Sequence, residues 1–215
     1  MKLYLNTLSE SLWEILNILM TDKVFKDFYL VGGTSLSLRL GHRASSDIDL
    51  FTDVEYGTLD FEKIENKLIK TFPIIEYFSS KEFGLGKSYF IGFEKNKMIK
   101  LDLFYTDTFV FPKVTYKDVR FSSIQDIAGM KIEVINNGGR KKDFWDVHEL
   151  LERYSLEDLI SFYNKRYPYG STKDEILKKL VDFKSAEDDF IPNCFKDKYW
   201  EIIKLDIQET VEKSV

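Results

Sequence analysis

Apolar positions in the first half of the chain follow two different periods. From residue 8 to 21, leucines and isoleucines recur every three or four positions, which predicts an amphipathic helix. Similar spacing predicts a helix that carries Leu36, Leu38 and Leu40 and ends at Gly41, and another from Asp60 to about residue 70. Runs rich in β-branched and aromatic residues predict strands at 28–31, 47–51, 73–77, 88–93, 98–105 and 119–121, with a tight turn at 96–97.

The pattern becomes helical throughout after residue 122. Ser123 with Asp126 three positions later resembles a capping box and predicts a helix to about residue 135, which residues 136–139 end. Further helices are predicted at 142–153, 156–165, 173–181 and about 198–212. The expected fold class is α/β (α+β). A mixed sheet with flanking helices would occupy residues 1–122, and a C-terminal helical domain would occupy residues 123–215.

Composition narrows the class of protein. The 215 residues are 44% hydrophobic and 31% charged, which is ordinary for a globular chain, and the net charge of about −5 argues against strong non-specific binding of nucleic acid. The single cysteine, Cys194, excludes an intramolecular disulfide. The N-terminus contains polar residues too early for a signal peptide, and no apolar run reaches the length of a membrane span. We therefore expect a cytoplasmic protein without a membrane partner.

Three aspartates on predicted strands are candidate metal ligands. Asp47 and Asp49 are two residues apart, so their side chains point to the same face of a strand while Ile48 points to the other. Asp102 lies on a later strand, and three carboxylates converge if the two strands are neighbours. Carboxylates that repel each other are stabilised by a cation, and Mg²⁺ or Mn²⁺ on substrate phosphates suits such a set. The alternative is exposed acids at strand ends.

Paired glycines upstream predict a phosphate-binding turn. Gly32, Gly33, Thr34 and Ser35 follow a strand and open a helix, where free backbone N–H groups bind anions and two hydroxyls add donors. An ordinary strand-to-helix turn would look the same. Two arginines between this turn and the acids, Arg39 and Arg43, could neutralise a triphosphate, and Ser45 and Ser46 could hydrogen-bond the acids.

The helical half adds a second group of charged residues. Lys131 borders the apolar stripe of its helix, so it either extends to solvent or enters a cleft that nucleotide phosphates could fill. Lys142 could bind phosphate or pair with the neighbouring acids Asp143 and Asp146, which lie three residues apart on one helix. Two histidines, His42 and His148, are interpreted as structural.

Together these motifs resemble the nucleotidyltransferase-like toxins of the AbiEii/AbiGii group, part of the polymerase-β-like nucleotidyltransferase superfamily. The similarity covers roughly residues 28–153. Residues 32–36 and 43–51 are similar to the first motif of the family, and Asp102 falls where the superfamily has its third carboxylate. Residues 126–131 followed by 140–146 resemble its later motifs, in which a lysine contacts the nucleotide and an aspartate completes the active site.

The resemblance assigns those two roles to Lys131 and Asp146. It implies a polymerase-β-like fold and a transferase that uses an NTP and Mg²⁺ or Mn²⁺. It further implies a toxin of a type IV toxin–antitoxin system, with tRNA as a possible acceptor and an antitoxin that acts without a stable complex. Two alternatives stay open: a nucleotidyltransferase that modifies a small molecule such as an antibiotic, and a non-catalytic nucleotide-binding module.

Overall fold

Seven strands and eight helices make up the part of the chain that the computed structural model describes, residues 1–77 and 84–214. The strands are β1 (Tyr29–Leu30), β2 (Asp47–Thr52), β3 (Ile74–Tyr77), β4 (Gly86–Gly92), β5 (Ile99–Tyr105), β6 (Val114–Tyr116) and β7 (Val119–Phe121). The helices are α1 (Glu10–Thr21), α2 (Gly32–Leu40), α3 (Phe61–Thr71), α4 (Ile124–Asn136), α5 (Lys141–Leu151), α6 (Leu156–Arg166), α7 (Lys173–Leu180) and α8 (Trp200–Glu212). None of these helices is long and apolar enough to cross a membrane.

The strands form one mixed sheet in the order β3-β4-β5-β2-β1-β7-β6. Strand β2 lies at its centre, parallel to β5 and antiparallel to β1, and β1 is in turn parallel to β7. The predicted mixed α/β architecture is therefore confirmed, and the predicted strands and helices differ from the observed ones by one or two residues at their ends. The predicted turn at 96–97 is a short 3₁₀ turn over Lys95–Lys97.

Strand β6 was not predicted from the sequence. It pairs with β7 as a hairpin whose two turn residues, Lys117 and Asp118, have positive φ angles of 49° and 65°. Hairpin turns of this kind usually carry glycine or asparagine, so the sequence Lys-Asp gives little indication of a turn. Val114 is also exposed and Thr115 faces solvent, so the alternation of apolar and polar residues is weak.

Helix α2 packs into two apolar cores at once. Leu38 lies in the core under the sheet with α1 and α3, whereas Leu36 and Leu40 lie in the core of the C-terminal helices. Glycine ends the helix as predicted, because Gly41 adopts the left-handed conformation with φ of 71°. The division of the chain into domains at residue 122 stays a prediction, since α2 precedes that point and is shared by both cores.

A buried ion pair joins the linker after β5 to the C-terminal helices. Asp126, in the first turn of α4, accepts hydrogen bonds from the backbone N–H groups of Val110 and Phe111 and from Arg166 Nη1 at 3.1 Å. Ser123 caps the same helix by accepting from the Asp126 backbone N–H at 2.8 Å, as the sequence predicted. The side chains of Asp126 and Arg166 are fully buried. Helix α4 is thereby fixed beside the sheet.

Trp200 is expected to be the main apolar anchor of the last helix. Its ring stacks on Trp145 at 5.9 Å and contacts Phe144 and Phe183 edge-on. Trp200→Ala should lower the free energy of unfolding by about 3–5 kcal/mol, because it leaves a cavity between α5 and α8. Urea denaturation of the purified protein measures this.

The neighbouring Tyr199→Ala variant is the control. That side chain is 70% exposed, so its loss should change stability by no more than about 0.5 kcal/mol. Equal effects of the two substitutions would contradict the assignment of Trp200 to the core.

Candidate active site

The three predicted acids lie on one face of neighbouring central strands. Asp47 and Asp49 alternate on β2 with the fully buried Ile48, as the period of a strand requires. Strands β2 and β5 are parallel and in register, so that Asp49 is directly opposite Asp102. Neighbouring strands lie about 4.8 Å apart, which places these two carboxylates side by side.

Burial and the neighbouring acids raise the pKa of Asp49. Burial, followed by the negative charges of Asp102 and Asp47, raises the pKa of Asp49 to about 6, and Lys131 and Lys142 offset only part of this effect. Within the described part of the chain, Asp102 Oδ1 is a buried acceptor without a hydrogen-bond partner. Both observations indicate that the carboxylates lack positive charge and donors at this point.

Two lysines lie against the outer acids. Lys142 Nζ, on α5, donates to Asp47 Oδ2 at 3.1 Å, and Lys100 Nζ, on β5, donates to Asp102 Oδ2 at 2.5 Å. Although burial acts to raise the pKa of Asp47, Lys142 and the hydroxyl of Ser46 outweigh it and lower that pKa. Lys142 therefore contacts a candidate metal ligand, and Ser46 bonds an acid as predicted, with Oγ at 3.2 Å from Asp47 Oδ1.

The donor set suits a hard divalent cation. All three candidate ligands are carboxylates, which Mg²⁺ and Mn²⁺ prefer, and the unpaired oxygen of Asp102 and the raised pKa of Asp49 both favour added positive charge. Within residues 1–77 and 84–214, no three acidic, histidine or cysteine side chains are close enough to form a ready metal centre. A cation would therefore have to draw the carboxylates together and displace the two lysines from them.

Glycines 32 and 33 are required by close contacts. Gly32 has a φ of 65°, and a side chain there would overlap Asp49 Oδ2. A side chain on Gly33 would overlap the guanidinium of Arg43. The N-terminus of α2 thus lies directly against the acids, where its unpaired N–H groups can bind an anion together with a metal.

The two hydroxyls after the glycines point inward rather than toward the cleft. Thr34 Oγ1 donates to the backbone carbonyl of Asp47 and lies 2.8 Å from Ser45 Oγ. Ser35 Oγ accepts from Arg39 Nη2 at 2.7 Å. Both side chains are fully buried, so the prediction that they add hydroxyl donors for phosphate is not supported by their placement. Only the backbone of the turn faces the acids.

Arg39 is a structural residue, which corrects the expectation that it could neutralise a triphosphate. Its guanidinium is buried under the sheet edge and donates to the carbonyls of Ser35 and Ser122. Burial lowers the pKa of Arg39 to about 10. The guanidinium also lies over the ring of Phe121, 5.1 Å from its centre, so its donors and its charge are engaged within the protein.

Asp146 is the centre of a buried charged network behind the cleft. Arg43 donates to both of its carboxylate oxygens at 2.7 Å, His42 Nε2 lies 2.7 Å from Oδ1, and Lys131 Nζ lies 2.7 Å from Oδ2. Lys131 also donates to Asp143 Oδ1 at 2.6 Å. The predicted site residues Arg43, Lys131 and Asp146 are therefore brought together, with their charges directed at one another.

The pKa values in this network follow from the pairing. Burial acts to raise the pKa of Asp146, but the charges of Arg43 and Lys131 hold it well below the ordinary value. Burial acts to lower the pKa of Lys131, but Asp143 and Asp146 raise it. His42 is structural within this network, as predicted. His148 lies outside the network, and its Nε2 is 2.7 Å from Asp206 Oδ2.

No role was predicted for Lys100, although the alternation along the strand indicates which face it occupies. It lies two residues before Asp102 and so shares its face of β5. Register places it opposite Asp47. The cleft therefore combines three acids, two lysines in contact with them and a helix N-terminus, an arrangement that can hold a polyphosphate and a divalent cation.

Comparison with known proteins identifies the family of this chain. The family model for the nucleotidyl transferase AbiEii toxin of type IV toxin–antitoxin systems matches residues 14–213. An uncharacterised protein of Aquifex aeolicus (strain VF5) is 30% identical over 187 residues, which cover 84% of either chain.

Solved structures share the fold at low sequence identity. A Helicobacter pylori protein described as a nucleotidyltransferase has a TM-score of 0.59 at 18% identity, over 98% of this chain and 93% of that one. MenT4, a nucleotidyltransferase toxin from Mycobacterium tuberculosis, has a TM-score of 0.58 at 13% identity, over 92% and 83% of the two chains. The predicted nucleotidyltransferase fold is confirmed. With its match over nearly the full length, the chain belongs to the AbiEii family of nucleotidyl transferase toxins.

Proposed function

We propose that this protein is a metal-dependent nucleotidyltransferase that transfers NMP from an NTP to a hydroxyl group of tRNA. The observation that carries the proposal is the placement of Asp47, Asp49 and Asp102 on one face of the sheet, against the N-terminus of α2. Membership of a transferase family and the shared fold support the reaction type.

The three aspartates would hold Mg²⁺ or Mn²⁺, which when bound neutralises charge on the triphosphate and on the attacked phosphorus. The backbone N–H groups of Gly33 and Thr34 bind the phosphates, with Lys142 beside them, whereas the Ser35 N–H already donates to the carbonyl of Val31. Lys100 can also bind the triphosphate if the lysine gives up its contact with Asp102. Positioning and electrostatic stabilisation supply most of the catalysis in such transfers.

Asp102 positions the acceptor hydroxyl and takes its proton. The hydroxyl oxygen attacks the α-phosphorus, the bond to the bridging oxygen of the β-phosphate breaks, and pyrophosphate leaves. Arg43 and Lys131 lie buried next to Asp146, where their charges are largely offset by Asp143 and Asp146, and the charge of Lys131 still acts on Asp49. If Lys131 contacts a phosphate directly, its ammonium group must bind that phosphate together with Asp143 and Asp146.

The biological role proposed is that of a toxin whose antitoxin acts without a stable complex. The family places this protein in type IV toxin–antitoxin systems. A transferase that modifies tRNA acts on a substrate pool, so its antitoxin can act on that pool without binding the toxin. Gel filtration of toxin and antitoxin together tests this part of the proposal, and a stable co-eluting complex would contradict it.

A small-molecule acceptor, such as an antibiotic, is the second candidate. The net charge of −5 favours a neutral or cationic small acceptor over a polyanion. Incubation with each labelled NTP and either total tRNA or a small-molecule panel, followed by mass spectrometry, distinguishes the two acceptors. A non-catalytic nucleotide-binding module predicts NTP binding without release of pyrophosphate.

Asp49→Asn should reduce nucleotidyl transfer by at least about a thousandfold, since it removes the central carboxylate of the proposed metal site. The fold should be retained, with equal or higher stability at pH 7, because the substitution removes a negative charge held next to Asp47 and Asp102. Release of labelled pyrophosphate and urea denaturation measure the two effects.

Asp53→Asn is the matched control for that variant. Asp53 follows the same strand but pairs with Lys113 outside the cleft, so transfer should stay within about twofold of wild type. Full activity of Asp49→Asn would exclude the mechanism.

Asp146→Asn should lower the free energy of unfolding at pH 7 by about 3–5 kcal/mol, because it leaves Arg43 and Lys131 buried with too little negative charge. The pKa of Asp146 is depressed in the folded state, so its contribution is present above the ordinary value near 3.8 and is lost as pH falls further. The gap between wild type and variant should therefore narrow from pH 5 toward about pH 3. Urea denaturation across this range measures it.

Asp206→Asn serves as the reference for Asp146→Asn. It removes the partner of His148 at an exposed position and should cost less than about 1 kcal/mol. A gap between wild type and Asp146→Asn that does not change with pH would contradict the assigned charge state.

A further inference from the structure

A stretch near the C-terminus, residues 189–195, forms one wall of the cleft. The buried Lys141, next to Lys142 in the first turn of α5, fixes its beginning. Lys141 Nζ donates to the backbone carbonyls of Glu187 at 2.7 Å and Asp189 at 2.8 Å. The Lys141 backbone N–H also donates to Asp189 Oδ2 at 3.2 Å. This lysine is used by the fold to hold the wall stretch, and it has no part in the proposed reaction.

The other end of the wall stretch pairs with the residues just before β2. Ala44 N–H donates to the carbonyl of Asn193 at 2.8 Å, and Phe195 N–H donates to the carbonyl of His42 at 2.9 Å. These bonds flank an isolated β-bridge between Arg43 and Cys194. The wall stretch is thus tied at both ends to the elements that carry the site residues.

Two large apolar side chains on the wall stretch are exposed to solvent. Phe190 is 91% exposed and Ile191 is 69% exposed, although hydrogen bonds fix the backbone on both sides of them. Adjacent exposed apolar side chains at the mouth of a cleft mark a binding surface more often than chance placement does. The geometry therefore indicates a ligand that covers them.

The cavity beneath these side chains has the chemistry of a nucleic-acid site. It has a volume of about 300 Å³, and its lining combines the apolar Phe190 and Ile191 with the cations Arg43, Arg140 and Lys142. The one acid in the lining is Asp189, whose carboxylate accepts from the Lys141 backbone N–H. The Arg140 side chain is 60% exposed and lies 3.8 Å from its nearest acid, Asp143. An exposed aromatic ring beside two cations is the combination that binds single-stranded nucleic acid by stacking and charge.

We propose that this cavity and its wall bind the single-stranded end of the RNA acceptor, with a base stacked on Phe190 and a phosphate between Arg140 and Lys142. The inference rests on the proposed function, since it concerns the acceptor of that reaction. Lys142 contacts Asp47 and also lines the cavity, so an RNA end bound there lies within a nucleotide's length of the carboxylates.

An RNA end fits these observations better than the incoming NTP or a peptide does. Small ligands are usually enclosed over most of their surface, whereas the ring of Phe190 is open to solvent. The proposed function already assigns the triphosphate to the N-terminus of α2. Three cations and one acid line the cavity beside the exposed ring, so its lining is positive whereas the whole chain has a net charge of −5, and cations and an aromatic ring complement phosphate and base.

Fluorescence anisotropy with a labelled ten-nucleotide single-stranded RNA tests the binding step. Phe190→Ala should weaken RNA binding by about tenfold, within the range expected for one stacked base. Arg140→Gln should weaken it by about fivefold and reduce the salt dependence by about one phosphate contact. Tyr169→Ala is the matched control, because this aromatic residue is 100% exposed but lies on the turn after α6 and does not line the cavity.

Steady-state transfer assays separate the acceptor from the nucleotide. For Phe190→Ala, KM for tRNA should rise about tenfold while KM for the NTP stays within twofold. A rise in KM for the NTP alone, or wild-type protein that does not bind the RNA at micromolar concentration, would overturn the inference. RNA binding that is sensitive to Phe190, without transfer of NMP from any NTP, would support the binding site inferred here and contradict the proposed function. The two failures are therefore distinguishable.

Discussion

The carboxylate of Asp146 is the contact on which the cleft depends. It lies on α5 and binds Arg43 from the loop before β2 and Lys131 from α4, so three separate parts of the chain meet at one side chain. With Asp143, the network holds two positive and two negative charges and is close to neutral. In a buried environment such a set is tolerated only when every charge is paired, and this requirement fixes α4 and α5 above the sheet.

The face of the sheet that carries the acids has an excess of negative charge. Asp47, Asp49 and Asp102 contribute three negative charges, whereas among the described residues Lys100 and Lys142 are the cations that form ion pairs with them. The excess falls on Asp49, whose pKa is raised to about 6. The two clusters lie next to each other, and Lys131 acts in both, since its charge pairs with Asp146 and also lowers the pKa of Asp49. Lys131 is thus shared between the two clusters, and it offsets only part of the negative charge around Asp49.

Much of the fold was predictable because its elements have strong local periodicity. The alternation in β2 and β5 gave the face of each aspartate, and the leucine spacing gave α1 and α2. The register that places Asp102 opposite Asp49 could be expected only on the condition that the strands were neighbours.

Contacts between distant parts of the chain were not predictable in the same way. Arg43 and Asp146 are 103 positions apart, and neither residue is unusual in its local context. The inward orientation of Thr34 and Ser35 depends on Ser45 and Arg39, which the glycine turn alone does not reveal. The turn therefore predicted two hydroxyl donors for phosphate, whereas the fold uses both hydroxyls in internal hydrogen bonds. The wall stretch has no periodic pattern, and its position follows from hydrogen bonds to Lys141 and to residues 42–44.

The short stretch from His42 to Asp47 shows why structural and chemical roles cannot be separated in this site. His42 and Arg43 bind Asp146, Ala44 pairs with the wall stretch, Ser45 contacts Thr34, and Ser46 hydrogen-bonds Asp47. The residues before the first acid thus connect β2 to α5, to the wall stretch and to α2. A substitution here would displace Asp47 even if the replaced side chain never touched a nucleotide. The spacing between the glycine turn and the acids is therefore set by assembly of the cleft as much as by the chemistry within it.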